Sequence, residues 1–513
     1  MKNLESKPSL QTMNRKSGIL LHITSLPGKY GMGDIGPDAY KFIDDLTDMG
    51  QSLWQILPTN PPDNYNCPYS ATSAFANHPL LISLDLLVRD GLLEEKDLSP
   101  CPPFPDHRVQ FDEVNEWRSN QIHKAAKTLL AFTDSKWEAE YQSFCNKNEQ
   151  WLNEFALFSV IQNIQGGADW IDWEIPYKTR VQEYLNDIQS NYQPDFEEVK
   201  VLQFLFYKQW LELKSYANSK EIQIIGDIPI YVSYNSADVW ANQHLFKLTD
   251  HGKMTVQSGC PPDFFIETGQ IWGHPIYDWA QHEKSGFAWW VDRIAHLFKL
   301  VDIIRIDHFN GFAKYWEVPA RDENGLDGTW VQGPGEKLFN AIVKKVGSKP
   351  ILAEDLGEAS KDAAVLRGIF AIPGMKILQM SFSNGIPFKK MDQNNVVYTG
   401  THDNDTSIGW FHAQPGNGNT QSVIEFHKER KNAKKILKTN GEDVNWKMVE
   451  FTLDANANTS IIPMQDVLGL DSSSRMNTPG TVGGNWEWRM VAGMLTPEIK
   501  QHLRRLTKKS NRL

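Results

Sequence analysis

One stretch of the sequence, residues 300–312 (LVDIIRIDHFNGF), most constrains the fold. It begins as an apolar run of strand length and ends in charged and aromatic residues before a glycine. A buried strand that ends in polar side chains is typical of an α/β barrel, which carries its catalytic groups at the carboxyl ends of its strands. Side chains alternate along a strand, so Arg305 and Asp307 share one face. Such a pair is either a structural ion pair or an arginine that keeps a functional carboxylate ionised.

Seven further runs of this kind occur, most of them separated by segments of helix length. They lie at residues 17–23, 53–57, 222–232, 350–356, 375–380, 396–403 and 460–466, and a helix is predicted at 37–49. Eight strands alternating with helices predict the α/β class and a (β/α)8 TIM barrel with helical insertions. The predicted parts are a disordered tail (1–16), the start of the barrel (17–84), a helical insertion subdomain (85–220) and the remainder of the barrel (221–513).

Composition excludes several classes of partner. The chain has 52 basic and 63 acidic residues, a net charge of -11, which argues against nucleic acid or an anionic membrane as the main partner. No apolar run reaches the length of about 18 residues that a membrane-spanning helix needs, and the N-terminus lacks a secretory signal. The four cysteines are scattered without CxxC spacing. They predict reduced thiols in a cytoplasmic protein.

A GxGxxG pattern at Gly31, Gly33 and Gly36 resembles a dinucleotide-binding fingerprint. In that fingerprint the strand runs almost directly into the first glycine, and an acidic residue follows about 20 residues later. Here the loop after the first strand is too long, and the later position holds Trp54 and Gln55. The sequence therefore predicts no nucleotide cofactor.

Carboxylates follow three of the predicted strands, namely Asp307, Glu354 and Asp403. Cleavage of a glycosidic bond needs two carboxyl groups, one ionised as the nucleophile and one protonated as the acid. Arg305 would keep Asp307 ionised, and Glu354 lies in an apolar strand beside another carboxylate, which favours a raised pKa. Alternation lets only one of Glu354 and Asp355 face the site, and the residues alone leave both open. Asp403 could hold sugar hydroxyls.

At this point a family resemblance is evident. From about residue 17 to 489 the chain closely resembles 4-α-glucanotransferases of the amylomaltase type, glycoside hydrolase family 77. The motifs that carry the resemblance are GILLHITSLP, CPYSATSAFANHPLLI (67–82), GDIPIYV (226–232), NSADVWA, PPDFFIETGQIWGHPIYDW (261–279), RIDHFNGFAKYW, ILAEDLG, YTGTHDNDT, QDVLGL, RMNTPGT and GNWEWR. The resemblance implies a barrel fold, retaining chemistry on α-glucans and no required metal.

The resemblance also implies roles for individual residues. Asp307 matches the nucleophile, Glu354 (rather than Asp355) the acid/base and Asp403 the stabiliser of the transition state. Residues that match sugar-contacting or site-lining positions are Arg305, His402, Tyr69, Asp227, Trp272, Asn477 and Trp486, and residues 262–271 match a loop that covers the site. For the three aromatic residues of this set, the alternative is an ordinary core position. Two positions depart from the family pattern: Asn310, where arginine is usual, and Asn235, where an acid is common.

The predicted function is transfer of a 4-α-glucanosyl segment from one α-1,4-glucan to the 4-hydroxyl of another glucan or of glucose. Two alternatives are an α-glucan hydrolase on the same barrel and a non-catalytic glucan-binding protein. The complete set of three carboxylates argues against the binding protein. The oligomeric state is left open by the sequence.

Overall fold

The computed structural model describes residues 13–132, 135–262, 266–357, 359–385, 387–388, 391–416 and 421–513. Within these ranges the strands are β1 (Lys16–Leu20), β2 (Leu53–Gln55), β3 (Gln223–Ile228), β4 (Val256–Cys260), β5 (Gln270–Pro275), β6 (Ile303–Ile306), β7 (Lys314–Pro319), β8 (Thr329–Gln332), β9 (Ile351–Ala353), β10 (Gly374–Ile377), β11 (Asn395–Tyr398) and β12 (Thr459–Pro463). The α-helices of the same ranges are α1 (Pro37–Asp48), α2 (Leu84–Arg89), α3 (Phe111–Leu130), α4 (Ser135–Ile164), α5 (Ile175–Lys178), α6 (Gln182–Asn191), α7 (Gln193–Ser219), α8 (Ala237–Ala241), α9 (Trp279–Lys284), α10 (Ala288–Leu300), α11 (Asn310–Ala313), α12 (Gly335–Val346), α13 (Ser360–Phe370), α14 (Ser407–His412), α15 (Val423–Leu437), α16 (Val444–Asp454), α17 (Met464–Leu468) and α18 (Pro497–Lys509).

Eight parallel strands close into a barrel in the order β1, β12, β11, β10, β9, β6, β3, β2. The barrel closes at β1, where Ile19 lies opposite Ile462 of β12 on one side and Trp54 of β2 on the other. The strands are short and rich in branched apolar residues because helices cover the barrel from outside while side chains fill its interior. The predicted (β/α)8 barrel is confirmed, and the predicted helix at 37–49 corresponds to α1.

A second sheet, in the order β5, β4, β7, β8, was missed by the sequence analysis. Its strands pair antiparallel, and they interrupt the chain before and after the barrel strand β6. The segments VQSGC and QIWGHP lack both a continuous apolar run and a clear period of two, which are the signals used to predict strands. This sheet is important for the site because β5 carries Trp272.

The predicted tail at 1–16 is too long at its C-terminal end. Lys16 is the first residue of β1, and Met13 is buried. The Arg15 guanidinium donates hydrogen bonds to the carbonyls of Ala455 and Ala457, at 3.2 and 3.0 Å. These contacts hold the residues before β1 against the other end of the chain, so order begins earlier than the polar sequence suggests. Residues 1–12 of the predicted tail lie outside the described residues.

Several barrel strands end earlier than predicted. The last pair between β11 and β12 joins Tyr398 to Ile461, so the residues beyond Tyr398 have no partner in the ladder and form a loop. In the same way β12 ends at Pro463, and α17 begins at Met464. As a result, Asp403 lies in a loop and not at the last residue of a strand.

Between β2 and β3 the described residues form helices and loops, among which α3, α4 and α7 are the longest. The indole Nε1 of Trp210 on α7 donates to the carbonyl of Leu300, at 2.8 Å, immediately before the strand that carries Arg305. This bond joins the helices to the barrel at the amino end of β6. In the part of the chain that the structure describes, no helix is both long enough and apolar enough to cross a membrane.

Candidate active site

Arg305 joins two carboxylates at the carboxyl ends of neighbouring strands. The parallel register places it beside Asp227 of β3, and its Nη1 donates to Asp227 Oδ2 at 2.5 Å and to Asp307 Oδ1 at 3.2 Å. Burial disfavours the charged guanidinium, but Asp227 and Asp307 raise the pKa of Arg305 above its ordinary value. The arginine is therefore charged, and it fixes the carboxylate of Asp307 at the mouth of the barrel.

Asp227 itself is the most enclosed carboxylate of this group. Burial raises its pKa to about 7, and the negative charge of Asp307 acts in the same direction, whereas Arg305 and the hydroxyl of Tyr69 lower it. The Tyr69 hydroxyl donates to Asp227 Oδ2 at 2.8 Å, the same oxygen that accepts from Arg305. Asp227 therefore links an aromatic side chain to the arginine at the centre of the site.

Glu354 follows β9 and lies next to Asp307. Its Oε2 accepts a hydrogen bond from the backbone N–H of His308 at 2.7 Å, and its Oε1 accepts one from the N–H of Leu356 at 3.1 Å. Both bonds favour the ionised form, but burial and then the charge of Asp307 outweigh them and raise the pKa of Glu354 to about 8. At neutral pH this carboxyl group is protonated beside a carboxylate that an arginine holds.

Asp355 points away from Glu354. Its carboxylate accepts from the backbone N–H of Met375 at 2.9 Å and forms an ion pair with Arg367, at 2.9 Å. Strand alternation alone left open which of Glu354 and Asp355 faces the site. In the structure it is Glu354 that lies beside Asp307. The sequence analysis expected the neighbouring Asp355 to raise the pKa of Glu354. In the structure the charge that raises this pKa is that of Asp307.

Asp403 is held by residues from two loops. Its Oδ1 accepts from Nδ2 of Asn477 at 2.6 Å, and its Oδ2 lies 3.3 Å from Nε2 of His402. The guanidinium of Arg475 donates to the Asp403 carbonyl at 2.6 Å, and the N–H of Asn477 donates to the carbonyl of His402 at 3.0 Å. The side chain is 37% exposed, so one face of the carboxylate stays open to a ligand.

Aromatic rings surround His402. The ring of Tyr69 stacks on the His402 imidazole with centroids 5.1 Å apart and planes 16° apart, and Trp486 lies 5.9 Å from both rings. Trp486 has a φ of 67°, a left-handed conformation that a residue with a large side chain rarely adopts. Such strain at a site is maintained by surrounding contacts, here including the bond from the Trp486 N–H to the Met476 carbonyl at 2.7 Å.

Trp272 packs on the residue that follows Asp307. Its ring meets the His308 imidazole edge to face at 4.8 Å and lies 6.2 Å from the ring of Tyr231. The loop predicted at 262–271 precedes it; residues 263–265, which include Phe264 and Phe265, lie outside the described residues. A Cβ added at Gly480 would come within 2.4 Å of Cδ1 of Ile266, so this loop reaches the C-terminal motifs.

Two residues of the site were not selected from the sequence. His308, with a φ of 48°, donates its N–H to Glu354 and packs its ring on Trp272. Arg475 holds the Asp403 loop. Both residues lie inside motifs of the family resemblance. The sequence does not indicate their contacts, because His308 bonds Glu354 through its backbone N–H and Arg475 bonds a carbonyl of a distant loop.

The two departures from the family pattern have local structural roles. Asn310 Nδ2 donates to the carbonyl of Leu356. Asn235 donates to Asp169 at 2.5 Å and accepts from the N–H of Trp170 at 3.1 Å.

Across the described ranges, no group of three or more His, Cys, Asp or Glu side chains is arranged to hold a metal ion.

The chain is similar to known proteins over almost its whole length. The sequence model of the family described as 4-alpha-glucanotransferase matches residues 21–495. The 4-alpha-glucanotransferase of Synechocystis sp. is 40% identical over 500 residues, which are 96% of this chain and 97% of that protein. The chloroplastic/amyloplastic 4-alpha-glucanotransferase of Solanum tuberosum is 43% identical over 488 residues, 93% of this chain and 82% of that protein. The structure of amylomaltase from Streptococcus agalactiae in complex with acarbose superposes with a TM-score of 0.91 at 36% identity, covering 97% of this chain and 99% of the other. The chain belongs to the 4-alpha-glucanotransferase family, glycoside hydrolase family 77.

Proposed function

We propose that this member of the family moves a 4-α-glucanosyl segment from an α-1,4-glucan to the 4-hydroxyl of another glucan or of glucose by a retaining double displacement. As a member of the family, it is a transferase that acts on α-glucans. The observation that carries the mechanism is the pair formed by Glu354, with its pKa raised to about 8, and Asp307, bound by Arg305. A protonated acid beside an ionised nucleophile is the arrangement that glycosidic cleavage needs.

In the first step, the Asp307 carboxylate attacks the anomeric carbon while the glycosidic C–O bond breaks. Glu354 gives its proton to the leaving oxygen, so the released glucan leaves as an alcohol and not as an alkoxide. The product on the enzyme is a glycosyl ester of Asp307 with inverted anomeric configuration. Arg305 donates to the Asp307 carboxylate and orients it before the reaction.

In the second step, the 4-hydroxyl of the acceptor attacks the same carbon and displaces Asp307. Glu354, now a carboxylate, takes the proton of that hydroxyl, and the second inversion restores the α configuration. We assign to Asp403 the binding of hydroxyls on the reacting sugar, because Asn477 and His402 orient it while its carboxylate stays partly open. Hydrogen bonds between Asp403 and these hydroxyls that strengthen as the sugar ring distorts would lower the energy barrier of both steps.

Water competes with the acceptor for the glycosyl ester and is present at about 55 M. A well-oriented acceptor hydroxyl can react as if it were present at an effective molarity on the order of 10⁵ M. The acceptor therefore has to be bound and oriented. Tyr69 and Trp272 are only partly buried and offer aromatic faces for sugar rings, whereas Trp486 is 5% exposed and packs against Tyr69 and His402. We assign to these rings, and to the loop at 262–271 as a cover, the preference for a sugar acceptor over water.

Incubation of the pure enzyme with maltotriose tests this proposal. Transfer gives glucose together with a ladder of longer maltooligosaccharides, because the segment left on Asp307 passes to a second maltotriose. Hydrolysis gives maltose and glucose without the ladder and would contradict the proposal. An Asp307→Asn variant prepared in parallel is the control for contaminating activity, since an amide cannot form the ester.

We further propose that the enzyme acts in the cytoplasm. Three of the cysteines, Cys67, Cys101 and Cys145, are free thiols, as is usual for a reducing compartment. Fractionation of the cells that produce the protein tests this, and recovery of the activity outside the cytoplasmic fraction would contradict it.

We also propose that residues 85–220 behave as an insertion subdomain on the barrel formed by 17–84 and 221–513. The support is the packing of α3 and α4 against α7, which in turn contacts the barrel at Trp210. Hydrogen exchange should show these helices opening together. Opening in step with the barrel strands would contradict a separate subdomain.

A further inference from the structure

A small cavity lies beside His402, between the loop that follows β1 and the loop that follows β11. Its volume is about 30 Å³, and the residues around it include His22, Ser25, His402 and Gln465. A single water molecule needs about 10–15 Å³ of such space, together with two to four polar partners. The cavity is therefore large enough for one water and too small for a sugar.

Two buried imidazole nitrogens need a partner at this place. The Nδ1 atoms of His22 and His402 are both inaccessible to solvent, and neither has a hydrogen-bond partner among the residues that the structure describes. Both side chains line the cavity, and each residue is 6% exposed. Buried polar atoms in native proteins almost always have a partner, in the protein or in an ordered water.

The contacts of His402 determine which of its nitrogens carries the hydrogen. Nε2 lies 3.3 Å from Oδ2 of Asp403, and the negative charge of a carboxylate favours the tautomer whose hydrogen, rather than lone pair, is on the nearer nitrogen, which is Nε2. Burial lowers the pKa of His402, and burial lowers that of His22 to about 3, so both rings are neutral. Nδ1 of His402 is then an acceptor that requires a donor from the cavity.

We propose that one water occupies this cavity, donates to Nδ1 of His402 and accepts from the Nδ1–H of His22. His22 is thereby a positioning residue that acts through His402. The water fixes the tautomer that gives Nε2–H to Asp403, and it holds the plane of the ring that stacks on Tyr69. This inference rests on the proposed roles of His402 and Asp403 in binding the reacting sugar.

Kinetics of His22 variants test the positioning role. His22→Leu removes the donor to the water, and kcat for maltotriose should fall by about tenfold or more, as when a partner of a functional imidazole is removed. KM should change less, because the ring is needed most in the transition state. His22→Gln keeps an amide donor and should recover much of kcat. His282→Leu is the matched control. His282 is also buried, and its ring nitrogens have no hydrogen-bond partner among the described residues, but its ring packs on Tyr277 and Trp279. The kcat of this variant should stay near that of the unsubstituted enzyme.

A double-mutant cycle separates positioning from general damage. In an enzyme that already carries His402→Gln, His22→Leu should lower kcat no further, because the residue through which it acts is gone. An equal fall in both backgrounds would overturn the proposal, and so would unchanged kcat in both His22 variants.

The water can also be observed directly. A crystal structure of the unsubstituted enzyme at high resolution should show its density within hydrogen-bonding distance of both Nδ1 atoms, and a cavity without density would overturn the proposal even if the variants fold poorly. The maltotriose ladder is a separate result: its loss would refute the proposed function, whereas loss of the water alone would refute only this inference.

Discussion

Replacing Glu354 by glutamine should make the protein more stable as well as inactive on maltotriose. The structure raises the pKa of Glu354 from 4.5 to about 8, first by burial and then by the charge of Asp307. Below about pH 4.5 the carboxyl group is protonated in both the folded and the unfolded protein. Between there and about pH 8 the unfolded chain is ionised while the folded protein keeps the proton, so the free energy of unfolding falls as the pH rises.

The size of the effect follows from the same pKa. Each pH unit in this window costs about 1.4 kcal/mol, so at pH 7 the wild-type protein loses up to about 3 kcal/mol that a glutamine does not lose. The advantage of Glu354→Gln in the free energy of unfolding should therefore grow from about pH 5 to about pH 8 and then level off. Urea unfolding at several pH values measures this difference in the free energy of unfolding. Glutamic acid and glutamine expose nearly the same surface on unfolding, so the dependence on urea concentration should have the same slope in both proteins.

The control is Glu336→Gln, since Glu336 is exposed in the first turn of α12, and its difference from wild type should change little over the same pH range. If the advantage of Glu354→Gln were constant between about pH 5 and about pH 8, Glu354 would ionise in the folded protein as it does in the unfolded chain. Glu354 would then not be a buried acid that keeps its proton at neutral pH.

Three further predictions concern activity. Asp307→Asn should reduce turnover to background while calorimetry still detects maltooligosaccharide binding, because the amide has the same shape but cannot attack; loss of binding as well would indicate a structural role. The kcat/KM of the wild-type enzyme should fall above about pH 8 as Glu354 loses its proton, and a rate unchanged to about pH 10 would exclude it as the acid. Trp272→Ala should lower transfer more than hydrolysis, so that products shift towards maltose and glucose; an equal loss of both would leave Trp272 as a donor-binding or packing residue.

The barrel could be predicted because its strands are continuous apolar runs that end in polar residues. The same rule failed for the second sheet, whose strands β4 and β5 are stabilised by pairing with neighbours and not by a pattern in their own sequence. It also extended β11 to Asp403, because sequence does not show where a strand loses its neighbour. The N-terminal boundary was misplaced because Arg15 is bound by carbonyls more than 400 residues away.

The site was predictable in its residues and less so in its connections. Strand alternation indicated that Arg305 and Asp307 share a face, and they do form an ion pair. The sequence could not show that Arg305 also bonds Asp227, since that contact depends on the register between β3 and β6. The sequence did not indicate the position of His22 beside His402, because that position depends on how the loop after β1 meets the loop after β11.

Trapping the covalent intermediate is the sharpest test of a double displacement through Asp307. A Glu354→Gln variant given an α-maltotriosyl fluoride should form the ester, because fluoride leaves without a proton, and should release it slowly, because no base activates the acceptor. Mass spectrometry of the digested protein should then find the added maltotriosyl group on the peptide that contains Asp307. An adduct on another residue, or consumption of the fluoride to a product of inverted configuration without any adduct, would contradict a double displacement through Asp307.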